Sequence, residues 1–168
     1  MEVKKLNKNF YLNFSIVILI FLIDRISKFY VIHKDKLNFN SEIYSSKFLN
    51  IHLIWNEGIA FGLFSFNEDY LYNFLTFLIF IVIIFIIFMI RKSDPLRKYA
   101  LLLVLGGALG NFFDRLIYKA VPDFIDFHVG NFHWFIFNVS DIFITVGIIL
   151  MILFEIINKP ESTNNEKI

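Results

Sequence analysis

Two carboxylates stand beside apolar stretches where a solvated charge has no evident reason to be. Asp123 lies in Val121-Pro122-Asp123-Phe124-Ile125-Asp126-Phe127, and Asp141 follows Phe137-Asn138-Val139-Ser140. Held a few ångströms apart, two carboxylates cannot both ionise, so one keeps its proton near neutral pH. The ionised member can act as general base on a water while the protonated member polarises a peptide carbonyl. This chemistry needs neither metal nor thiol and suits a chain with no cysteine. His33, His52, His128 and His133 show no H-E-x-x-H spacing, so neither zinc nor another cofactor is expected. No serine has the context of a nucleophile elbow. A proton-coupled carrier also relays protons through intramembrane aspartates, and it stays open beside a hydrolase.

Other polar residues have helical spacing. Asp24 and Lys28 are one turn apart with the acid first, the favourable order for an ion pair along a helix. Asn111, Asp114 and Arg115 are three and four apart and can share one side of a helix end. A snorkelling arginine with an aspartate partner is the plain structural reading there. Asn138 precedes Asp141 by three and lies near the same helix end. Gly106 and Gly110 form a G-x-x-x-G pattern without the spacing of a phosphate loop, so close helix packing is their expected role.

The elements that must position these groups are membrane helices. Hydrophobic residues make up 57% of the 168 and Phe occurs 23 times. The mean hydropathy is +0.64, and soluble domains are less apolar and more charged. A crossing helix needs about 20 apolar residues. Four stretches qualify, at about 10–32, 70–90, 98–118 and 132–154, in one domain covering 1–168. The first outruns a signal-peptide core and meets Asp24-Arg25 where a small-residue cleavage site would be, so it is expected to remain as a helix. Lys4, Lys5 and Lys8 precede it, Arg91, Lys92, Arg97 and Lys98 fill the second connection, and Lys159 and Lys167 lie in the tail. That bias places both termini in the cytoplasm and the other two connections outside. With a net charge of +1 and no basic stripe, nucleic acid is excluded as a partner.

The first outer connection predicts structure of its own. Phe48 to Trp55 alternates, with Leu49, Ile51, Leu53 and Trp55 on one face, which is a strand signal. Asn56-Glu57-Gly58 reads as a turn and Ile59 to Phe66 as a second apolar piece. The expected architecture is therefore an all-α membrane protein with four transmembrane helices and a small extracytoplasmic β-sheet in the first outer loop. The short connection after span three must bring Asp123 near Asp141, and residues 159–168 are expected to be disordered.

The chain resembles the lipoprotein signal peptidase (signal peptidase II) family over nearly its whole length. The resemblance is carried by Asp24-Arg25-Ile26-Ser27-Lys28, Asn56-Glu57-Gly58-Ile59-Ala60-Phe61 and Gly106-Gly107-Ala108-Leu109-Gly110-Asn111-Phe112-Phe113-Asp114-Arg115. The Asp123 and Asp141 stretches complete the order. Such a resemblance implies a four-helix protein of the bacterial cytoplasmic (inner) membrane with its site near the outer leaflet. It implies an aspartic endopeptidase, needing no metal, that cuts diacylglyceryl-modified prolipoproteins just before the lipid-bearing cysteine. It implies Asp123 and Asp141 as the catalytic pair, with Asp24, Lys28, Asn56, Gly58, Asn111, Asp114, Arg115 and Asn138 binding substrate or shaping the site. The implied partners are the lipid-modified prolipoprotein and membrane lipid, and every required group lies in one chain, as in a monomer. Ser140 departs from a usual alanine and Pro122 from a frequent valine, both beside the expected pair.

Overall fold

A computed structural model describes residues 2–37, 42–58 and 69–157. The apolar piece after Gly58 and the C-terminal tail lie outside the described residues. The described elements run α1 (Glu2–Leu37), β1 (Glu42–Ser45), β2 (Leu49–Asn56), α2 (Asp69–Lys92), α3 (Pro95–Tyr118), β3 (Val121–Val129), β4 (Phe132–Phe137) and α4 (Val139–Ile157).

Among the described residues, three helices, over Tyr72–Lys92, Pro95–Tyr118 and Val139–Ile157, are long and apolar enough to cross a membrane. α3 is the hub. Within the most apolar stretch of each helix, 61% of α3 is buried in the protein, against 17% of α2 and 11% of α4. Val17 of α1, Ile83 and Ile86 of α2, and Leu101 and Leu105 of α3 form the core between these helices. Phe74, Phe77 and Phe85 of α2 and Ile149 and Ile156 of α4 point outward, the pattern of helices solvated by lipid tails. α1 is longer, at 36 residues, and carries Asp24, Arg25 and Lys28 inside it.

Local chemistry fixes the ends of α3. Asp94 caps the start by accepting from the Leu96 and Arg97 amides at 3.1 Å each, with Pro95 in the first turn. Lys119, with φ of 56°, ends the helix in the left-handed region. The G-x-x-x-G pair does bring α1 close: a Cβ on Gly106 would lie 2.8 Å from Ile20 Cβ. A Cβ on Gly110 would lie 2.7 Å from Asp24 Oδ2, so the missing side chain makes room for a carboxylate.

The sheet is antiparallel in the order β1-β2-β3-β4. β2 occupies the alternating stretch expected to be a strand, but half of the sheet comes from elsewhere. The sheet was expected only in the first outer loop, and β3 and β4 belong to the connection between α3 and α4. The fourth helix was expected to begin at 132, yet Phe132–Phe137 is a strand and α4 starts at Val139. Gly130 and Asn131 form a two-residue turn, with Val129 opposite Phe132 and Gly130 at φ 60°. An apolar strand abutting an apolar helix reads as one long helix when length alone is weighed. β2 meets β3 with Asn56 opposite Val121, Ile54 opposite Asp123 and Asn50 opposite Asp126. This pairing carries the Asn56–Gly58 turn to Asp123.

Candidate active site

The start of α4 is built as a capping box. The Asp141 amide donates to Asn138 Oδ1 and the Asn138 amide donates to Asp141 Oδ2, each at 3.1 Å. The cap therefore fixes one carboxylate at the positive end of the helix dipole. It also fixes the Asn138 side chain, whose Nδ2 donates to Asp123 Oδ1 at 2.6 Å. A single asparagine thus bridges Asp123 and Asp141.

Two further amides complete the pair. Asn56 Nδ2 donates to Asp123 Oδ2 at 2.9 Å, and Asn111 Nδ2 donates to Asp141 Oδ1 at 2.7 Å. Each asparagine is oriented by what its oxygen accepts. Asn56 Oδ1 takes the Gly58 amide at 2.9 Å, and Asn111 Oδ1 takes Lys28 Nζ at 2.8 Å. With the oxygens engaged, each NH2 group must face a carboxylate. All four oxygens of the pair accept a bond from a neutral N–H and retain a lone pair for a proton or a water.

Behind Asn111 lies a buried ionic cluster. Lys28 is 1% exposed, and its ammonium contacts Asn111 Oδ1 at 2.8 Å, Asp114 Oδ2 at 2.6 Å and Asp24 Oδ1 at 3.0 Å. Those three contacts match the three protons of an ammonium. Arg25 pairs with both oxygens of Asp114, bonds Asp24 Oδ2 at 2.6 Å, and has its guanidinium over the rings of Phe21 and Phe113. Asp24 Oδ1 also accepts the Ser140 amide at 3.0 Å, tying α1 to the head of α4. Arg115 Nη2 donates to the Gly58 carbonyl at 3.0 Å and Nη1 to the Asn111 carbonyl at 3.3 Å, which holds the Asn56–Gly58 turn against α3.

A cavity of about 590 Å³ opens onto Asp123, Asp141, Asn56, Asn111, Asn138 and Arg115, and the rest of its wall is largely apolar, including Ile79, Val121, Phe137, Ile144 and Val146. That size and lining fit a site for a largely apolar ligand aligned by a few polar groups. Asp123 is 3% exposed. Burial raises its pKa from 3.8 to about 6, and the charge of Asp141 adds to the rise against the bonds from Asn138 and Asn56. Asp141 is half-buried at the cavity wall.

The ten candidate site residues all enter this one network. Asp123 and Asp141 sit at the cavity, Asn56, Asn111 and Asn138 on their oxygens, and Lys28, Asp24 and Asp114 behind Asn111. Gly58 and Arg115 brace the turn. The expected Asp24–Lys28 pair forms, but Lys28 also reaches Asp114, and Arg25 joins the same cluster. Arg25 had not been singled out, although its place in an apolar stretch next to Asp24 was the available signal. Asp126 lies apart from the pair, fully buried, with His133 Nδ1 at 2.8 Å from its Oδ2.

Comparison with known proteins bears on what this network is. A family model described as signal peptidase (SPase) II matches residues 16–157. The chain belongs to the signal peptidase II family. A lipoprotein signal peptidase of Pelagibacter ubique is 49% identical over 95% of this chain and 96% of its own length. One from Anaplasma phagocytophilum is 37% identical over 77% of this chain and 79% of its own. Among solved structures, a bacterial membrane enzyme determined at 2.3 Å is similar with a TM-score of 0.73 at 27% identity, covering 93% of this chain and 94% of that one. A second, at 1.9 Å, gives a TM-score of 0.72 at 29% identity over 88% and 94%. The family match spans the sheet, α2, α3, α4 and α1 from residue 16 onward.

Proposed function

We propose that this chain removes signal peptides from diacylglyceryl-modified bacterial prolipoproteins, cutting just before the lipid-bearing cysteine, with Asp123 and Asp141 as the catalytic pair. The observation that carries the reading is the amide-bridged pair of carboxylates at the wall of an apolar cavity. Among the described residues of the network, three cations, Arg25, Lys28 and Arg115, accompany four carboxylates, Asp24, Asp114, Asp123 and Asp141. One proton on the pair balances the charge.

Asp123, the more buried member, holds that proton, and Asp141, open to the cavity, is the base. Asp141 takes a proton from water as the hydroxyl adds to the scissile carbonyl, and Asp123 gives its proton to the carbonyl oxygen. In the collapse, the leaving amine takes the proton from Asp141, and Asp123 recovers one from the gem-diol. Peptide and water are consumed, and both carboxyls return to their starting states. Asn111 and Asn138 keep the pair in place throughout.

α1 completes a four-span protein of the cytoplasmic membrane with both termini inside and the sheet and the pair at the outer leaflet. A diacylglyceryl group needs an apolar path to the scissile bond, and the Ile- and Val-rich cavity wall supports one. All the groups come from one chain, consistent with a monomer.

The test is cleavage of a diacylglyceryl-modified prolipoprotein by purified protein in detergent. Cleavage of the modified precursor, with the unmodified one left intact, is the expected result; no cleavage of either would overturn the assignment and favour a carrier. Orientation is checked with single cysteines and an impermeant thiol reagent on intact cells. Ser45→Cys should label and Ser93→Cys should not; the reverse pattern would put the pair at the wrong membrane face.

A further inference from the structure

The histidines have no metal-binding spacing along the chain and no metal is expected from it, but the β3–β4 hairpin assembles what that spacing does not show. Asp126 and His128 are two apart on β3, and His133 is the cross-strand partner of His128 on β4. One ligand atom from each of the three lies within 4.8 Å of the others. We propose that Asp126, His128 and His133 bind a divalent transition metal such as zinc, at a site separate from the Asp123–Asp141 pair.

Two ligands on one tetrahedral zinc are roughly 3.3 Å apart, as bonds of about 2.0–2.1 Å require. His133 Nδ1 is already 2.8 and 3.0 Å from the Asp126 oxygens. The His128 ring stacks on His133 with centroids 5.2 Å apart, and a turn of this ring presents its nitrogen as the third arm. His128 Nδ1 is shielded from solvent with no hydrogen-bond partner among the described residues, which leaves the polar environment of this ring incomplete. Asp126 is fully buried, while the His133 side chain is 51% exposed and gives an ion a way in. Imidazole and carboxylate ligands suit zinc, with solvent as the fourth ligand. Strand alternation puts Asp123 and Asp126 on opposite faces of β3, so the ion would staple the hairpin without touching the pair.

The experiment is calorimetric titration of full-length protein, purified in detergent without a histidine tag, with zinc chloride. One zinc per chain is expected, together with a rise in melting temperature on zinc addition. His128→Ala and His133→Ala should each weaken binding roughly tenfold or more and abolish the rise, while His52→Gln should bind as wild type. Cobalt should give the intense visible bands of a four-coordinate site in wild type and lose them in both alanine variants. Absence of saturable one-to-one binding, or binding unchanged in His128→Ala and His133→Ala, would overturn the site. Cleavage activity is not part of the readout, so the result stands apart from the proposed function.

Discussion

Asp24 and Asp114 are held mainly by cations, whereas the neighbouring Asp123 and Asp141 receive, among the described residues, only amide and backbone N–H bonds. The two pairs lie in one network and are joined through Asn111. Their difference teaches what a buried carboxylate needs in order to react. A carboxylate matched by Arg25 and Lys28 is locked in place by ion pairs and becomes structure. One matched by neutral donors keeps its orientation while remaining free to hold or release a proton. Lys28 serves both pairs: it neutralises the first directly and orients the second by engaging the Asn111 oxygen.

The largest expected effect falls on the amide-held pair. Asp123→Asn and Asp141→Asn should each lower cleavage per folded molecule by at least ~10³-fold, and the double variant should be no worse, because members of a unit do not contribute additively. Substantial turnover in either single variant would erase the contrast and move attention to Asp126 or Asp114.

The cation-held pair should answer in stability. Asp114→Asn leaves Arg25 and Lys28 short of their main partner, at a cost of about 3–5 kcal/mol. Asp24→Asn leaves Asp114 in place and should cost less, about 1–3 kcal/mol. Melting in detergent measures both, and the molecules that stay folded should retain cleavage. If Asp24→Asn matched Asp123→Asn in activity with its melting unchanged, the two pairs would no longer be different in kind.

A pH series sharpens the comparison. The pKa of Asp123 is raised on folding from 3.8 to about 6, so its contribution to stability is complete below the lower value and lost as pH rises through the upper one. The size is about 3 kcal/mol, from about two pH units at 1.36 kcal/mol each. The melting temperature of the wild type should fall across this window relative to that of Asp123→Asn, which lacks the titrating group. Cleavage should decline on its alkaline side as the pair loses its shared proton, and on the acid side once both carry one. Asp141→Asn removes the second cause of the rise, so the Asp123 carboxyl carbon should titrate lower by NMR. An unmoved titration would mean that the two carboxylates do not sense each other.

The smallest effect concerns Ser140. Its hydroxyl is buried without a hydrogen-bond partner among the described residues. Ser140→Ala should therefore stabilise the protein by about 1 kcal/mol with cleavage unchanged. A loss of stability would show that the hydroxyl has a partner.

The residues of the network were legible because charge and amide groups in apolar sequence stand out, and their order matched a family. Their wiring was not. That Asn138 closes a capping box could be read from an Asn three residues before an Asp at the start of an apolar run, but the start itself was misplaced by the strand before it. β3 looked like a connecting loop because Pro122 and two aspartates interrupt its apolar residues. Gly130-Asn131 between two β-branched and aromatic runs was the hairpin signal that length-based reading of a span passed over. The His128–His133 contact depends on that hairpin, so it is lost to any reading that takes the second strand as part of a helix.

The Asp24–Ser140 bond spans 116 positions of sequence, and that separation sets when the site can exist during synthesis. Asn56 and Asn111 emerge early and wait, while Asn138 and Asp141 come with the last helix. A nascent chain ending before Asn138 carries one carboxylate of the pair and none of the amides that join it to a second. On the proposed assignment the pair therefore stays incomplete until the head of α4 has been made and reaches α1.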